Sequence, residues 1–372
     1  MSLLSAEMSG GLADRCTQKE MPMIFYQVDP IKDVRWAQLV ERHPKASAFH
    51  TVAWLETLRR TYGYEPVAFT TSPPTSELKD GLVFCRVNSW LTGRRLVSLP
   101  FSDHCEPLFD SAEDLIGLVH YLQAVLKRED WKYLEVRPIT INFAGTDNGI
   151  GFVPAAKYFL HTLDLRPDLD ELFRSLDKDS VQRRVRRAEQ AGLVERCGTS
   201  DAMLKEFYRL LVITRGRHNV PPQPYAWFRN LIHSQGEALD IRLAYQRGTP
   251  IAAILTLRFK DIVYYKYGGS DARFNKFGAM PWLLWNAIAV AKSCGSREFD
   301  MGRTDENNMG LVAFKNHWAP SPNRLIYWRY PGTSPALDSA DGWKMRIAKR
   351  AFSYMPSSLL TITGRFIYRH IG

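Results

Sequence analysis

The feature that most constrains the fold of this chain is an order of predicted elements that occurs twice. Alternating apolar positions predict the strands, and apolar residues at helical spacing predict the helices. The first pass comprises predicted strands at 23–28, 65–70, 81–87, 94–99 and 132–136 and predicted helices at 32–42, 52–61 and 111–127. The second comprises predicted strands at 193–197, 239–246, 251–260, 262–267, 298–301 and 324–330 and predicted helices at 169–175, 180–190, 201–214, 225–234, 281–293 and 307–316. A structural duplication of an α/β unit follows, each copy having a mixed sheet with helices on its faces.

The length of 372 residues also suits two domains. We place the boundary between the copies near residue 160. The predicted organisation is a loose tail at 1–22, a first copy at 23–160, a second copy at 161–330, and a linker with a basic C-terminal tail at 331–372. The linker is predicted from its Pro, Gly, Ser and Asp content.

Composition excludes several classes of protein. The net charge of +10 favours anionic partners such as phosphates, nucleic acid or an acidic lipid surface. The five cysteines are scattered, which argues against a disulfide framework or zinc knuckle and fits a reducing compartment. No run of about 18 apolar residues predicts a membrane span. The nine histidines form no H-x-H or H-E-x-x-H pattern, so no metal site is predicted. We expect a cytoplasmic protein.

Four segments carry a resemblance to a known family: LPFSDHCEPL (99–108), RRAEQAG (186–192), FDMGRT (299–304) and GLVAFKNHW (310–318). With the duplicated element order, they resemble the FemAB-like family of tandem GNAT transferases, whose best-known members add amino acids to peptidoglycan precursors. The first segment and the basic C-terminal end are similar to a branch linked to exopolysaccharide and exosortase gene clusters. The resemblance spans about residues 23–330 and implies two tandem GNAT-like acyltransferase domains.

The loop at 268–279 is the predicted donor site. It joins a strand to a helix, where free backbone N–H groups and the helix dipole suit a pyrophosphate. The resemblance to GNAT enzymes implies cofactor binding by Arg273, Lys276, Gly278 and Ala279. The glycine spacing departs from the GNAT pattern Arg/Gln-x-x-Gly-x-Gly/Ala, so a plain strand-to-helix turn is the alternative interpretation.

Lys315 and Asp300 are the predicted catalytic residues. The Phe314-Lys315 pair matches the family's Phe-Lys pair, which implies a cation near the developing negative charge. Asp300 is interpreted as a base for the incoming amine. The alternative for Asp300 is that it holds the following turn and pairs with Arg303. We expect Lys315→Ala to remove transfer and leave the melting temperature nearly unchanged.

Five further residues are predicted to bind substrate: His104, Arg217, Tyr265, Tyr267 and Arg303. Arg217 lies in a segment that resembles the family's Thr-x-x-Arg segment. Strand alternation places Tyr265 and Tyr267 on one face, with packing as the alternative role. His104 lies in a loop that we expect to reach the cleft between the copies.

These observations predict a transferase that moves an acyl or aminoacyl group onto an amine of a cell-envelope precursor. The donor stays open between acyl-coenzyme A and aminoacyl-tRNA. The acceptor is expected to be an anionic or lipid-linked exopolysaccharide or peptidoglycan intermediate. Residues 343–372 carry six basic and no acidic residues, which favours peripheral contact with the inner face of the membrane. The alternatives are a catalytically silent scaffold of an envelope-polymer assembly and, from the basic cluster around 183–187, an RNA-binding module.

Overall fold

A computed structural model of the protein describes residues 24–143, 151–331 and 357–371. The predicted tail at 1–22 and most of the predicted linker lie outside the described residues. The strands are β1 (Tyr26–Val28), β2 (Glu65–Thr70), β3 (Leu82–Ser89), β4 (Gly93–Val97), β5 (Tyr133–Val136), β6 (Val153–Asp164), β7 (Val194–Gly198), β8 (Leu239–Gln246), β9 (Thr249–Phe259), β10 (Ile262–Ser270), β11 (Glu298–Asp305) and β12 (Asn323–Tyr330). The helices are α1 (Val34–Arg42), α2 (Val52–Tyr62), α3 (Ala112–Arg128), α4 (Leu169–Ser175), α5 (Arg183–Gln190), α6 (Asp201–Arg217), α7 (Tyr225–Gln235), α8 (Ala279–Ser293), α9 (Met309–Asn316) and α10 (Ser357–Ile371).

All twelve strands form one mixed sheet in the order β1-β2-β3-β4-β5-β12-β6-β11-β10-β9-β8-β7. Two neighbouring pairs are parallel, β4 with β5 and β10 with β11, and they occupy equivalent places in the two halves. The α/β class with two copies of one unit is therefore confirmed. The copies exchange strands, because β12 from the second half lies beside β5 and β6 lies beside β11.

The exchanged strand β6 was not predicted, and the predicted boundary lies inside it. Leu160 pairs with Arg303 on one side and with Asn323 on the other, so residue 160 is in the middle of the sheet. Pro154 and the consecutive residues Ala155 and Ala156 blur the strand pattern of this segment. The sheet is continuous across residue 160.

The helices α6 and α9, which line the functional site described below, each begin at a side-chain cap. The Ser200 side chain accepts a hydrogen bond from the backbone N–H of Met203 at the start of α6. The Asn308 side chain does the same for Leu311 at the start of α9. Such caps satisfy N–H groups that have no partner within the helix, so they fix where it begins. The first residues of α6 and α9 are thereby fixed.

Helices cover both faces of the sheet. On one face, α1 and α2 of the first half and α6 and α7 of the second pack into one apolar core. Trp54 and Trp227 meet edge to face in that core, with ring centroids 5.4 Å apart. On the other face, α3 covers the first half, whereas α4, α5 and α8 cover the second. The shared core fixes the two halves against each other.

Candidate functional site

A groove of about 910 Å³ opens where the parallel strands β10 and β11 end, a usual place for a ligand in an α/β sheet. Its walls come from the two strands, the end of α6, the helix α9 and one loop of the first half. The charged side chains that line it are Asp103, Arg215, Arg217, Lys266, Arg303, Asp305 and Lys315.

Lys315 lies in the last turn of α9 and lines the groove. Its Nζ donates hydrogen bonds to the carbonyl oxygens of Gly302, at 2.7 Å, and Arg303, at 3.0 Å. A bulge in β11 between residues 300 and 303 accompanies this contact. Burial lowers the pKa of Lys315 to about 8, although Asp103 and Asp300 favour the charged form. Lys315→Ala leaves both carbonyls without this donor, so we now expect a loss of stability as well as activity.

Asp300 does not line the groove, contrary to its predicted role as the base. It is 2% exposed, and both carboxylate oxygens are occupied. Oδ1 accepts from the backbone N–H of Gly302 at 2.6 Å, and Oδ2 lies 3.0 Å from Nε2 of His104. An incoming amine in the groove does not meet this carboxylate. The alternative that Asp300 holds the turn fits the structure, but Arg303 contacts Asp103 instead, at 3.9 Å.

The loop that contains His104 enters the cleft, but His104 is not the residue that reaches the groove. Its ring is 4% exposed and bonds Asp300 beneath the groove wall. The preceding residue, Asp103, lines the groove instead. His104 is therefore placed to position Asp300 rather than to contact a substrate.

Asp103 and Lys266 form a buried ion pair between the halves that the sequence reading missed. Lys266 Nζ lies 2.8 Å from Asp103 Oδ2 and 5.0 Å from the centre of the Phe49 ring. Burial lowers the pKa of Lys266, and Asp103 opposes that shift. Burial acts to raise the pKa of Asp103, but Lys266 and Arg303 hold it below its ordinary value. A lysine between tyrosines in a buried strand is the sequence signal that marks this pair.

Tyr265 and Tyr267 lie on opposite faces of the sheet, so their predicted common face is wrong. The register of β10 against β9 shifts between them, leaving Lys266 as the extra residue of a bulge. Tyr265 packs on the face covered by α8, and Tyr267 on the face covered by α6 and α7. Tyr267 accepts a hydrogen bond from Nε1 of Trp227 at 2.9 Å. Both tyrosines border the groove, and burial raises the pKa of Tyr265 to about 12.

Arg217 lies where the groove meets a second cavity of about 240 Å³ at the start of α8. Gly278 and Ala279 line this cavity together with Arg184. Gly278 has a φ of +74°, and a Cβ there collides with the carbonyl of Arg184, so the loop and α5 approach closely only because residue 278 is glycine. Two of the four predicted donor-binding residues are thus brought to a cavity beside the groove.

The other two, Arg273 and Lys276, do not line this cavity. Arg273 pairs with Asp271 at 2.6 Å, and its side chain is 80% exposed. Lys276 Nζ lies 5.2 Å from the centre of the Phe277 ring. A short 3-10 turn from Ala272 to Phe277 directs these cations away, and Arg184 and Arg217 supply the positive charge instead.

Arg303, which was predicted to bind substrate, lines the groove. Its guanidinium carbon lies 4.4 Å from the centre of the Tyr158 ring and 5.0 Å from that of Tyr327. These rings belong to the exchanged strands β6 and β12. Stacking of this kind holds an arginine in one orientation while its N–H groups stay available.

Among the described residues, no three or more His, Cys, Asp or Glu side chains are placed to hold a metal ion. Cationic groups dominate the groove and its neighbouring cavity, with six basic side chains against Asp103, Asp271 and Asp305. The arrangement therefore suits an extended anionic ligand with a reacting group near Lys315.

A family model described as an acetyltransferase (GNAT) domain matches residues 177–316, which include Arg217, the loop before α8 and Lys315. The fold matches the crystal structure of FemX with a TM-score of 0.64, at 16% identity over 80% of this chain and 95% of that one. Residues 177–316 therefore form a GNAT domain, and the whole chain has the fold of FemX. The predicted GNAT-like fold is thus confirmed, and the matched domain supports the predicted class of N-acyl or aminoacyl transferase.

Two further solved structures share this fold. L-PGS from Bacillus licheniformis matches with a TM-score of 0.54, at 12% identity over 88% of this chain and 98% of that one. A tandem GNAT protein from the clavulanic acid biosynthesis pathway matches with a TM-score of 0.51, at 12% identity over 84% of this chain and 99% of that one. No curated protein sequence matches the chain. At these identities the structural matches establish the fold.

Proposed function

We propose that the protein is a FemAB-like transferase, which moves an acyl or aminoacyl group from a phosphate-bearing donor to an amine of a cell-envelope precursor. The acceptor is an anionic or lipid-linked intermediate of exopolysaccharide or peptidoglycan synthesis. The observation that carries the proposal is the buried Lys315 ammonium beside a groove that shares Arg217 with the cavity at the start of α8. The acetyltransferase (GNAT) model that matches residues 177–316 supports the class of reaction.

The cavity at the start of α8 suits the phosphates of the donor. Gly278 precedes the helix without a side-chain cap, so the first backbone N–H groups of α8 are available to an anion. The Arg217 guanidinium makes no hydrogen bond or ion pair with the residues that the structure describes, so it is available for a bidentate contact. The GNAT fold in general implies an acyl-coenzyme A donor. Aminoacyl-tRNA carries phosphates too and remains the second donor in the proposal.

Lys315 is suited to stabilise negative charge on the carbonyl oxygen of the transferred group. An ammonium has three hydrogens, and the carbonyls of Gly302 and Arg303 accept two of them. The third is available to the oxygen that gains negative charge when the amine attacks. A fixed cation in a site shielded from water stabilises that charge without reorganisation.

The proposal places the protein on the inner face of the cell membrane, with the basic C-terminal tail in contact with it. This location gives access to a lipid-linked acceptor. None of the described helices has the length and apolar content to cross a bilayer.

Incubation of the purified protein with acyl-coenzyme A and aminoacyl-tRNA donors and a panel of amines tests the proposal. We expect transfer with one donor class, lost in Lys315→Met and retained in the matched control Lys276→Met. Stabilisation of the fold by coenzyme A identifies the first donor. A steeply salt-dependent affinity for tRNA identifies the second. No transfer from any donor, together with tight binding to a polymer-assembly partner, contradicts the proposal and favours a silent scaffold.

A further inference from the structure

Two separate parts of the chain expose large apolar side chains at one edge of the molecule. Trp90 and Leu91 form the turn between β3 and β4 and are 85% and 61% exposed. Phe366 and Ile371 on α10 are 67% and 53% exposed. We call these four residues the edge patch. Exposed tryptophan and phenylalanine side chains that cluster mark a surface for a partner.

The edge patch is one rigid surface. The Trp90 ring meets the His370 ring with centroids 5.6 Å apart, and Phe366 lies one helical turn before His370. The Ser89 hydroxyl lies 2.9 Å from Nδ1 of His370, and the Thr92 hydroxyl donates to the His370 carbonyl at 2.7 Å. The turn and the helix therefore present their apolar side chains together.

The helix α10 is docked on the body of the protein by its other side. The Tyr368 hydroxyl donates to the carbonyl of Pro221 at 3.0 Å, and Tyr64 donates to the carbonyl of Tyr368 at 2.8 Å. Tyr368 and Ile371 also line a chamber of about 320 Å³ whose other walls include Lys266 and Arg303 of the groove. The edge patch thus borders an opening that leads to the groove.

Basic groups surround the edge patch. Arg369 is exposed on α10, and the exposed Lys132 places its Nζ 3.4 Å from the carbonyl of Thr92 in the turn. Residues 343–372 contain six basic residues and no acidic one. Aromatic side chains flanked by cations are typical of surfaces that lie in the headgroup region of an anionic bilayer.

We propose that the edge patch is a docking surface for an anionic lipid bilayer. Trp90, Leu91 and Phe366 enter the headgroup region, while the exposed Arg369 and Lys132 contact the lipid phosphates. The chamber beside Ile371 then opens at the membrane surface, where a lipid-linked acceptor resides. Only the role of the chamber in admitting a lipid-linked acceptor rests on the proposed function, because membrane docking does not require acyl transfer.

Sedimentation of the full chain with vesicles tests the docking. We compare vesicles of phosphatidylcholine with vesicles of an equal mixture of phosphatidylcholine and phosphatidylglycerol. We expect binding to the mixed vesicles alone, weakened by salt, and reduced about tenfold or more in the double variant Trp90→Ser/Leu91→Ser. The matched control is Val34→Ser/Val194→Ser, which removes two exposed apolar side chains elsewhere, 67% and 59% exposed. It should bind as the unchanged protein does.

Equal binding of the two double variants overturns the proposal, as does a lack of binding of the unchanged protein to the mixed vesicles. A dimer in solution that Trp90→Ser/Leu91→Ser converts to monomer also overturns it, since the edge patch is then a protein interface. Transfer to a water-soluble amine separates this proposal from the proposed function. Trp90→Ser/Leu91→Ser should keep that transfer and lose vesicle binding, whereas Lys315→Met should lose transfer and keep vesicle binding.

Discussion

The two halves of the sheet carry equivalent elements around the point where two parallel strands diverge. In the first half, a loop leaves β4, and its residues fill the space between the strands. His50 Nε2 lies 2.9 Å from the Glu106 carbonyl oxygen, and the Cys105 N–H donates to the Arg137 carbonyl at 2.7 Å. In the second half, the loop after β10 leads through a short 3-10 turn into α8 and leaves the groove and its neighbouring cavity open. The same scaffold is thus closed in one copy and open in the other.

The closed half still contributes to the open one. Its loop delivers Asp103 to the groove wall and His104 to Asp300 beneath it. Burial lowers the pKa of His50 to about 4, so the packed side chains behind this loop include a neutral imidazole. The comparison indicates that the first copy supports the site of the second rather than holding a matching site of its own.

The largest expected effect comes from breaking the contact between the halves. Asp103→Asn leaves the Lys266 ammonium buried without its partner, and we expect a loss of about 3–5 kcal/mol in the free energy of unfolding. The matched control, Asp164→Asn, breaks the exposed pair with Arg166 and should lower the free energy of unfolding far less, because water screens that pair. Urea unfolding measures both. Equal small losses would show that the first half does not support the site.

Replacement of the central cation of the open half has the next largest effect. Lys315→Met should reduce the turnover rate about 10²–10³-fold, because it removes the charge beside the reacting carbonyl. It should also cost about 1–3 kcal/mol of stability, since two buried carbonyls lose a donor. Steady-state kinetics and urea unfolding separate the two effects. A rate like that of the unchanged protein would remove Lys315 from the mechanism.

Variants of two arginines near the start of α8 test which residues bind the donor. Arg217→Ala should raise the KM for the donor about tenfold or more, as expected for a lost contact with a phosphate. Arg273→Ala should leave KM unchanged, because Arg273 is paired with Asp271 outside the cavity. Initial-rate measurements over a range of donor concentrations test the pair. The reverse order of effects would return the donor site to the residues predicted from the loop.

The smallest expected effect is a dependence of the transfer rate on pH. The pKa of Lys315 is lowered by burial to about 8, so a rate that needs its charge should fall as the pH rises through that value. Lys315→Arg keeps its charge and should lack this fall, whatever its absolute rate. For stability the sign is opposite. Between the folded pKa of about 8 and the ordinary value of 10.5 the unfolded chain binds more protons, so this residue makes stability increase with pH.

Local patterns in the sequence predict most elements of the fold. The strand at 239–246 and the helix at 169–175 occur with the predicted bounds, because apolar periodicity and caps act over a few residues. The strand β6 was missed because Pro154, Ala155 and Ala156 blur its strand pattern, and its place between β11 and β12 depends on residues more than a hundred positions away in the chain. Strand exchange leaves no local signal.

The site was predicted less completely for the same reason. Arg217, Arg303 and Lys315 do line the groove, whereas Arg273 and Lys276 do not line the cavity predicted for them. The prediction that Tyr265 and Tyr267 share one face of the sheet is wrong because a bulge at Lys266 breaks the strand alternation. Bulges and ion pairs between distant segments depend on tertiary packing. A lysine in a tyrosine-rich strand was the one sequence clue to them.

The exchange of β6 and β12 also determines when each copy can complete its sheet during biosynthesis. The strand that borders β5 ends at Tyr330, so it leaves the ribosome long after the rest of the first copy has been made. During that interval β5 has a free edge in the nascent chain, and unpaired strand edges invite contact with other chains. The closed copy can therefore complete its sheet only when synthesis of the open copy is nearly finished.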